Sequence, residues 1–185
     1  MRKLESIATI RMGHTFRESL NNDTSGHIAV VQVKDFAEWN PDNFVRGQFD
    51  NIKTPRLKHD DILVSARGTL RARIFGEASL EAITTSSVFI VRPESSYIPE
   101  FIEFYLNSAR GQHILRRASQ GSSIPWLSNR EFGSILIPDI TLDEQRQLMQ
   151  AIQTIKHSKE ALISKQRLLT KLEQGLLQEA TNDRL

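Results

Sequence analysis

Residues 142–185 read LDEQRQLMQAIQTIKHSKEALISKQRLLTKLEQGLLQEATNDRL, and the spacing within this stretch decides the architecture. Leu148, Ile155, Leu162, Leu169 and Leu176 recur every seven residues, and neither glycine nor proline interrupts the pattern before Gly175. A seven-residue apolar repeat holds one stripe on one side of an α-helix, so a single long amphipathic helix is expected. At 1.5 Å per residue, about 38 residues extend about 57 Å, more than a small domain is wide. A stripe of that length calls for a partner. The companion positions are mixed, with Ala151, Ser158, Lys165 and Leu172 on one side and Ile152, Lys159, Gln166 and Glu173 on the other. A uniform parallel zipper fits this poorly, whereas antiparallel pairing or a mixed bundle fits better.

Upstream of Thr141 the texture changes. Ser134-Ile135-Leu136-Ile137, stopped by Pro138, reads as a last strand, preceded by a helical turn over Ser128-Asn129-Arg130-Glu131-Phe132 and by the loop Gln120-Gly121-Ser122-Ser123-Ile124-Pro125-Trp126. From Pro99 to about Arg117 the pattern is helical, with Phe101, Ile102, Tyr105, Leu106 and Ala109 on one face. The first 100 residues read as short strands and loops. Residues 28–33, 62–65 and 87–91 are apolar, β-branched runs that want a shared sheet, and Arg67-Gly68-Thr69 looks like a turn leaving a strand. The expected fold class is therefore α+β, one globular domain of short strands and helices over residues 1–140, followed by one long coiled-coil-type helix over residues 141–185.

At 185 residues, 39% hydrophobic and 25% charged, the chain has the composition of a folded protein rather than a disordered one. No apolar run approaches the roughly 20 residues needed to span a bilayer. The absence of cysteine excludes a disulfide framework and thiolate metal sites, and fits a reducing cytoplasm. The net charge of +2 is small, but its distribution is uneven. Between Glu103 and Glu131 no acid occurs, while Arg110, His113, Arg116, Arg117 and Arg130 do; between Asp61 and Glu77 the same holds for Arg67, Arg71 and Arg73. An ordinary surface intersperses both signs, so two one-signed stretches point to a polyanion, unless these arginines pair with acids distant in sequence.

Catalytic signatures are missing. His14, His27, His59, His113 and His157 stand apart, without metal-ligand spacing, so no metal is expected. There is no phosphate-cradling glycine-rich loop with its lysine, and no nucleophile elbow around a serine. Asp42, Asp50 and Lys53 come nearest to a nuclease set, but Lys53 is one residue too far from Asp50 for the usual acid-x-lysine pattern. No enzymatic activity and no cofactor are expected.

Several segments, in order, resemble the specificity subunit of type I restriction-modification systems: one target recognition domain followed by one conserved helix. Residues 4–10 with Gly13 look like that family's opening segment. Asp60-Asp61-Ile62-Leu63-Val64-Ser65-Ala66-Arg67-Gly68-Thr69 is similar to its strand and turn "G-D-I-L-x-S-x-R-G". Gly121-Ser122-Ser123 through Ile135-Leu136-Ile137-Pro138 resembles the closing loop and strand, and Leu142-Asp143-Glu144-Gln145-Arg146 the "L-x-E-Q-R" entry to the long helix. The chain departs from the family in Leu70-Arg71-Ala72-Arg73, where another glycine is common, and in carrying one recognition domain and one helix where family members commonly have two of each.

The resemblance implies a half-length specificity subunit that binds double-stranded DNA, works with methyltransferase and restriction subunits, and supplies no chemistry itself. Two copies pairing their helices through Leu148, Ile155, Leu162, Leu169 and Leu176 would restore the full arrangement by symmetry. Lys53, Arg110, Arg116 and Arg117 are the expected phosphate contacts, Arg67, Arg71, Arg73, Gln120, Ser122, Ser123 and Trp126 the expected base-reading group, and Thr69 a further expected DNA-binding residue. The rival reading is a protein-interaction adaptor whose helix zips to a partner and whose basic stretches meet an acidic protein surface, with no specific DNA target.

Overall fold

In the computed structural model, which describes residues 1–23, 25–49, 52–121 and 123–182 with side chains to residue 178, the strands are β1 (Arg2–Lys3), β2 (Ala8–Met12), β3 (Ile28–Val31), β4 (Val45–Gly47), β5 (Ile62–Ser65), β6 (Ala72–Ile74), β7 (Ala82–Thr84), β8 (Val88–Pro93) and β9 (Leu136–Ile137). The helices are α1 (Pro99–Asn107), α2 (Ala109–Ala118), α3 (Asn129–Gly133) and α4 (Leu142–Asn182). The three apolar runs picked out in the sequence become β3, β5 and β8. The first two are buried at every position, as is β8 as far as Val91, which is why they read as continuous apolar stretches rather than alternating ones.

Strands β2, β8, β5 and β6 form an antiparallel sheet in that order, with Leu63 opposite Ile90 and Ile62 opposite Val91. A second sheet runs β4-β3-β7, with β3 and β7 parallel. Because side chains alternate along a strand, Leu63, Val88 and Ile90 join Ala29, Val31 and Ala82 in one core with Phe36, Phe44 and Phe75. The opposite face of the first sheet is covered by helices. There Phe89 stacks on Phe132 of α3 at 4.4 Å, and α1 packs against β6. The opposite face of the second sheet places Ile28, Val30 and Ile83 against Phe16, Leu20, Phe49 and Ile52.

One ion pair ties the central strands. Asp61, 1% exposed at the start of β5, accepts from Nε and Nη2 of Arg92 on β8, both at 2.7 Å, and from the Lys58 N–H at 2.8 Å. The hydrogen bond to Asp61 holds the Arg92 guanidinium above its ordinary pKa. These donors replace the hydration that the carboxylate loses on burial. The acid of the "D-I-L" segment is therefore a structural clamp.

The helix expected from Pro99 to about Arg117 is two helices. Ser108 ends α1 and caps α2: its Oγ donates to the Tyr105 carbonyl at 2.6 Å and accepts from the Gly111 N–H at 3.1 Å. The break resets the phase, so Ala109, expected on the apolar face, is exposed, whereas Phe101, Ile102, Tyr105, Leu106 and Leu115 are buried.

The long helix is present as α4, 41 residues, and begins with a reciprocal cap: Glu144 accepts from the Thr141 N–H and hydroxyl, both at 2.8 Å. Those two hydrogen bonds, the N–H first, hold the Glu144 carboxyl below its usual pKa. Gln145, fully buried, accepts from the Ile98 N–H at 2.9 Å and donates to the carbonyls of Ser96 at 3.0 Å and Ile140 at 3.1 Å. The first turn of α4 is thus fastened to the segment that leads into α1. The chain divides into two compact units, Met1–Gln145 and Arg146–Leu185. Within the second, Leu148, Ile155, Leu162, Leu169 and Leu176 are all exposed, Ile155 and Leu162 by 67% each.

Gln145→Leu keeps the volume but leaves the Ile98 N–H without its acceptor. The expected loss is about 1–3 kcal/mol, read as a lower urea midpoint at unchanged m-value.

Candidate nucleic-acid interface

The turn leaving β5 is built for one shape. Gly68 has φ +70°, the left-handed region that glycine enters without strain. Ser65 Oγ donates to the Thr69 carbonyl and accepts from the Arg71 N–H at 2.9 Å, closing the turn from beneath. Arg67 and Thr69 are exposed on it.

This turn is joined by main-chain hydrogen bonds to a loop about sixty residues further on. Leu127 N–H donates to the Ala66 carbonyl and Gly68 N–H to the Pro125 carbonyl, both at 2.9 Å, and Arg67 bridges Trp126 in antiparallel register. Trp126 in turn exchanges two bonds with Gln120, at 2.8 and 2.9 Å. On its other side the turn is held by Ala66 N–H donating to the Ser87 carbonyl at 2.8 Å. Arg67, Thr69, Gln120 and Trp126 of the expected DNA-binding residues are therefore brought to one end of the sheets, with Ser123 exposed in the same loop. Ser122, like Asp50, lies outside the described residues.

The loop is braced from below by α3. Ser128 caps that helix, accepting from the Glu131 N–H at 3.2 Å, while Glu131 accepts from the Ser128 N–H at 3.0 Å. Glu131 also accepts from Nε2 of Gln120 at 2.5 Å. The Ser128 N–H, then its hydroxyl, then the Gln120 amide hold the Glu131 carboxyl below its usual pKa. Because the folded pKa is depressed, this brace is present at neutral pH and is lost as pH falls through that lowered value. Gln120 thus keeps its carbonyl oxygen and one N–H for a ligand.

The remaining sites are dispersed. Thr69, Arg71 and Arg73 share a groove with Phe36, Glu103 and Gln112. Arg73, half-buried, stacks over Trp39 at 4.6 Å, and Trp39 donates to Glu77 at 2.6 Å, so the guanidinium is held by a ring. Arg110, Arg116 and Arg117 are exposed on α2 with His113 between them, while Gly111 and Leu115 form the buried side. Lys53 is exposed beside Ile52, which packs against the second sheet. Among the described residues, the ion pairs Lys3–Glu5, His27–Glu81, Arg56–Glu81, His59–Asp60 and Arg92–Asp61 take up none of the arginines of the two one-signed stretches.

Two groups that sequence reading did not single out position the site. Asn107 at the end of α1 accepts from the Ala72 N–H at 3.0 Å and donates to the Ala72 carbonyl at 2.9 Å, supplying edge strand β6 with the bonds a neighbouring strand would make. Gln112 on α2 donates to the Leu70 carbonyl at 2.7 Å, fixing the far side of the turn. No signal in the sequence distinguishes either from a solvated amide. Among the described residues no three histidines or carboxylates are placed to hold a metal ion, and no helix is long and apolar enough to cross a membrane.

Loops gathered by main-chain bonds at one end of the sheets, with exposed arginines beside them, form the candidate interface. Residues 1–174 match the family model described as the type I restriction modification DNA specificity domain, and the chain belongs to that family. Among solved structures, it is similar to the HsdS subunit of Thermoanaerobacter tengcongensis (TM-score 0.66, 18% identity, 87% of this chain and 38% of that one). It is equally similar to a chain from a structure titled for complex assembly and conformational transition of the type I R-M system (0.66, 18%, 86% and 38%). The S subunit from M. genitalium gives 0.56 and 15%, over 88% and 40%. The present chain thus spans about two-fifths of the length of those structures. No curated protein matches it.

Proposed function

We propose that this protein is a half-length specificity subunit that reads one part of a double-stranded DNA target and directs a partner methyltransferase and a translocating nuclease to it, in the cytoplasm. The observation that carries the reading is the main-chain coupling of the Arg67-Gly68-Thr69 turn to residues 120–127, because it holds an arginine and an amide in fixed relation. Arg67 takes a guanine bidentately, and Gln120 with Thr69 and the serines reads neighbouring edges, Ser122 and Ser123 included. Trp126 supports both strands of the loop and offers an apolar surface. Arg71 and Arg73 border the same turn, the latter steadied by Trp39.

Arg110, Arg116 and Arg117, with Lys53, hold phosphates and set register without reading sequence. The methyltransferase brings the chemistry, and this chain supplies the address. On α4, antiparallel pairing with a second copy about Leu162 sets Ile155 opposite Leu169 and Leu148 opposite Leu176, so every member of the exposed stripe finds an apolar partner. The twofold then makes the target palindromic and bipartite. Light scattering on the full chain is expected to give twice the chain mass, and Ile155→Asp with Leu169→Asp to give the chain mass. A wild-type monomer contradicts the pairing.

Selection from a pool of randomised duplexes tests the reading. A defined consensus is expected, and Arg67→Ala relaxes it at one position at a cost of about 1–3 kcal/mol. Arg117→Ala weakens all duplexes alike and reduces the slope of log affinity against log salt by about 0.9. An adaptor, by contrast, shows no consensus and loses all duplex binding in salt.

A further inference from the structure

The row of hydrogen-bonded main chain does not end at the Arg67 turn. Ser87 accepts from Ala66, and its neighbour Ser86 donates to the His14 carbonyl at 2.7 Å; His14 N–H donates to the Thr84 carbonyl at 2.7 Å. Gln120, Trp126, the Arg67 turn, the 85–87 turn and His14 therefore lie side by side, each bonded to the next. At a spacing of about 4.8 Å, five segments span about 19 Å, or between five and six base steps of about 3.4 Å.

Past the 85–87 turn this row opens on a groove of about 570 Å³ lined by His14, Phe16, Gln32, Lys34, Ser86 and Ser87. Its walls are fixed. Gly13 passes so close to β7 that a Cβ would overlap the Thr84 hydroxyl and carbonyl, which seats His14 against that strand. The His14 ring meets Phe16 edge to face at 4.8 Å, and Phe16 meets Phe49 at 5.4 Å. Gln32 follows Val31, whose carbonyl accepts from the Thr85 N–H at 3.3 Å, so it stands beside the same turn.

The Gln32 side-chain nitrogen is buried and has no hydrogen-bond partner among the described residues. Gln32 also caps the short helical turn of residues 33–36: its N–H donates to Asp35 at 2.7 Å, and the Asp35 N–H returns to Gln32, to the main-chain carbonyl at 3.1 Å and to the side chain, so the nitrogen is the side-chain group left without a partner. A buried amide donor left unmade costs stability, and an apolar side chain of the same length avoids that cost. The groove also has a cation at Lys34, hydroxyls at Ser86 and Ser87, and an acid at Glu18. That mixture suits base edges better than a continuous phosphate track.

Building on the DNA-reading function above, we propose that Gln32 is a further specificity-determining residue, its carboxamide contacting a base edge in the groove beside the 85–87 turn, next to the position read by Arg67. In this role the unpartnered nitrogen donates to an acceptor on a base edge, such as a purine N7, with Ser86 and Ser87 adjusting to the neighbouring base.

The test uses the full chain, a randomised-duplex pool and thermal melting. Gln32→Met, which keeps length and shape, is expected to relax selection at one position by about fivefold or more, with the melting temperature unchanged or raised. Gln32→Glu, which exchanges the donor for an acceptor, is expected to move the preferred base at that position toward cytosine. If both variants keep the wild-type consensus while Arg67→Ala relaxes it, the Gln32 proposal is overturned and the DNA-reading function stands. If Gln32→Met melts lower and loses discrimination evenly across the site, Gln32 is structural and the proposal is likewise overturned. A wild-type chain that selects no consensus removes both.

Discussion

Both main-chain groups of Ala66 are engaged with neighbours distant in sequence, its N–H with Ser87 and its carbonyl with Leu127. Ala66 follows directly on β5, the strand whose four residues are all buried, so these two bonds transfer the rigidity of the core to the loops outside it. A side chain discriminates between bases only if its position is determined before the ligand arrives. Apart from Ala66 and Leu127, the loops leave their apolar side chains largely outside the core, Ile124 65% and Trp126 37% exposed. Main-chain bonding to a strand end is what remains to order them, and the same bonds line the loops up in a row.

Several sequence segments acquire a physical meaning from this arrangement. Asp61 has its carboxylate satisfied by Arg92 and Lys58, and so anchors the start of the strand that delivers Ala66. Gly68 supplies the left-handed residue that lets Arg67 project while the chain turns back. Gln145 uses its amide three times to join the start of α4 to the residues before α1. Asp61 and Gln145 look like recognition or scaffold motifs, but both are explained by buried polar groups that must be satisfied, and Gly68 by the backbone of its turn.

What was legible in the sequence follows the same physics. The two-sided burial of β3, β5 and β8 leaves continuous β-branched runs, and the seven-residue repeat of α4 spans enough turns to be unmistakable. Strands β1, β4, β6 and β7, of two or three residues each, are too short to carry a period, and exist because a neighbour supplies their bonds; β9, equally short, was legible as the apolar run stopped by Pro138. The break at Ser108 is invisible because apolar spacing continues across it. Arg67, Gln120 and Trp126 were recognisable one by one from charge and loop composition, yet their proximity rests on bonds between segments about sixty residues apart. Gln32 carried no sequence signal, since only the structure reveals that its side-chain nitrogen lacks a partner.

The same constraint sets the most direct test. Amide hydrogen exchange of the full chain, with and without the duplex it selects, measures which surface the DNA covers. The account predicts slowed exchange together at residues 13–16, 66–69, 85–87 and 120–127, with α2 protected less and in a salt-dependent way. Protection confined to α2, or to faces away from the end of the sheets, would contradict it.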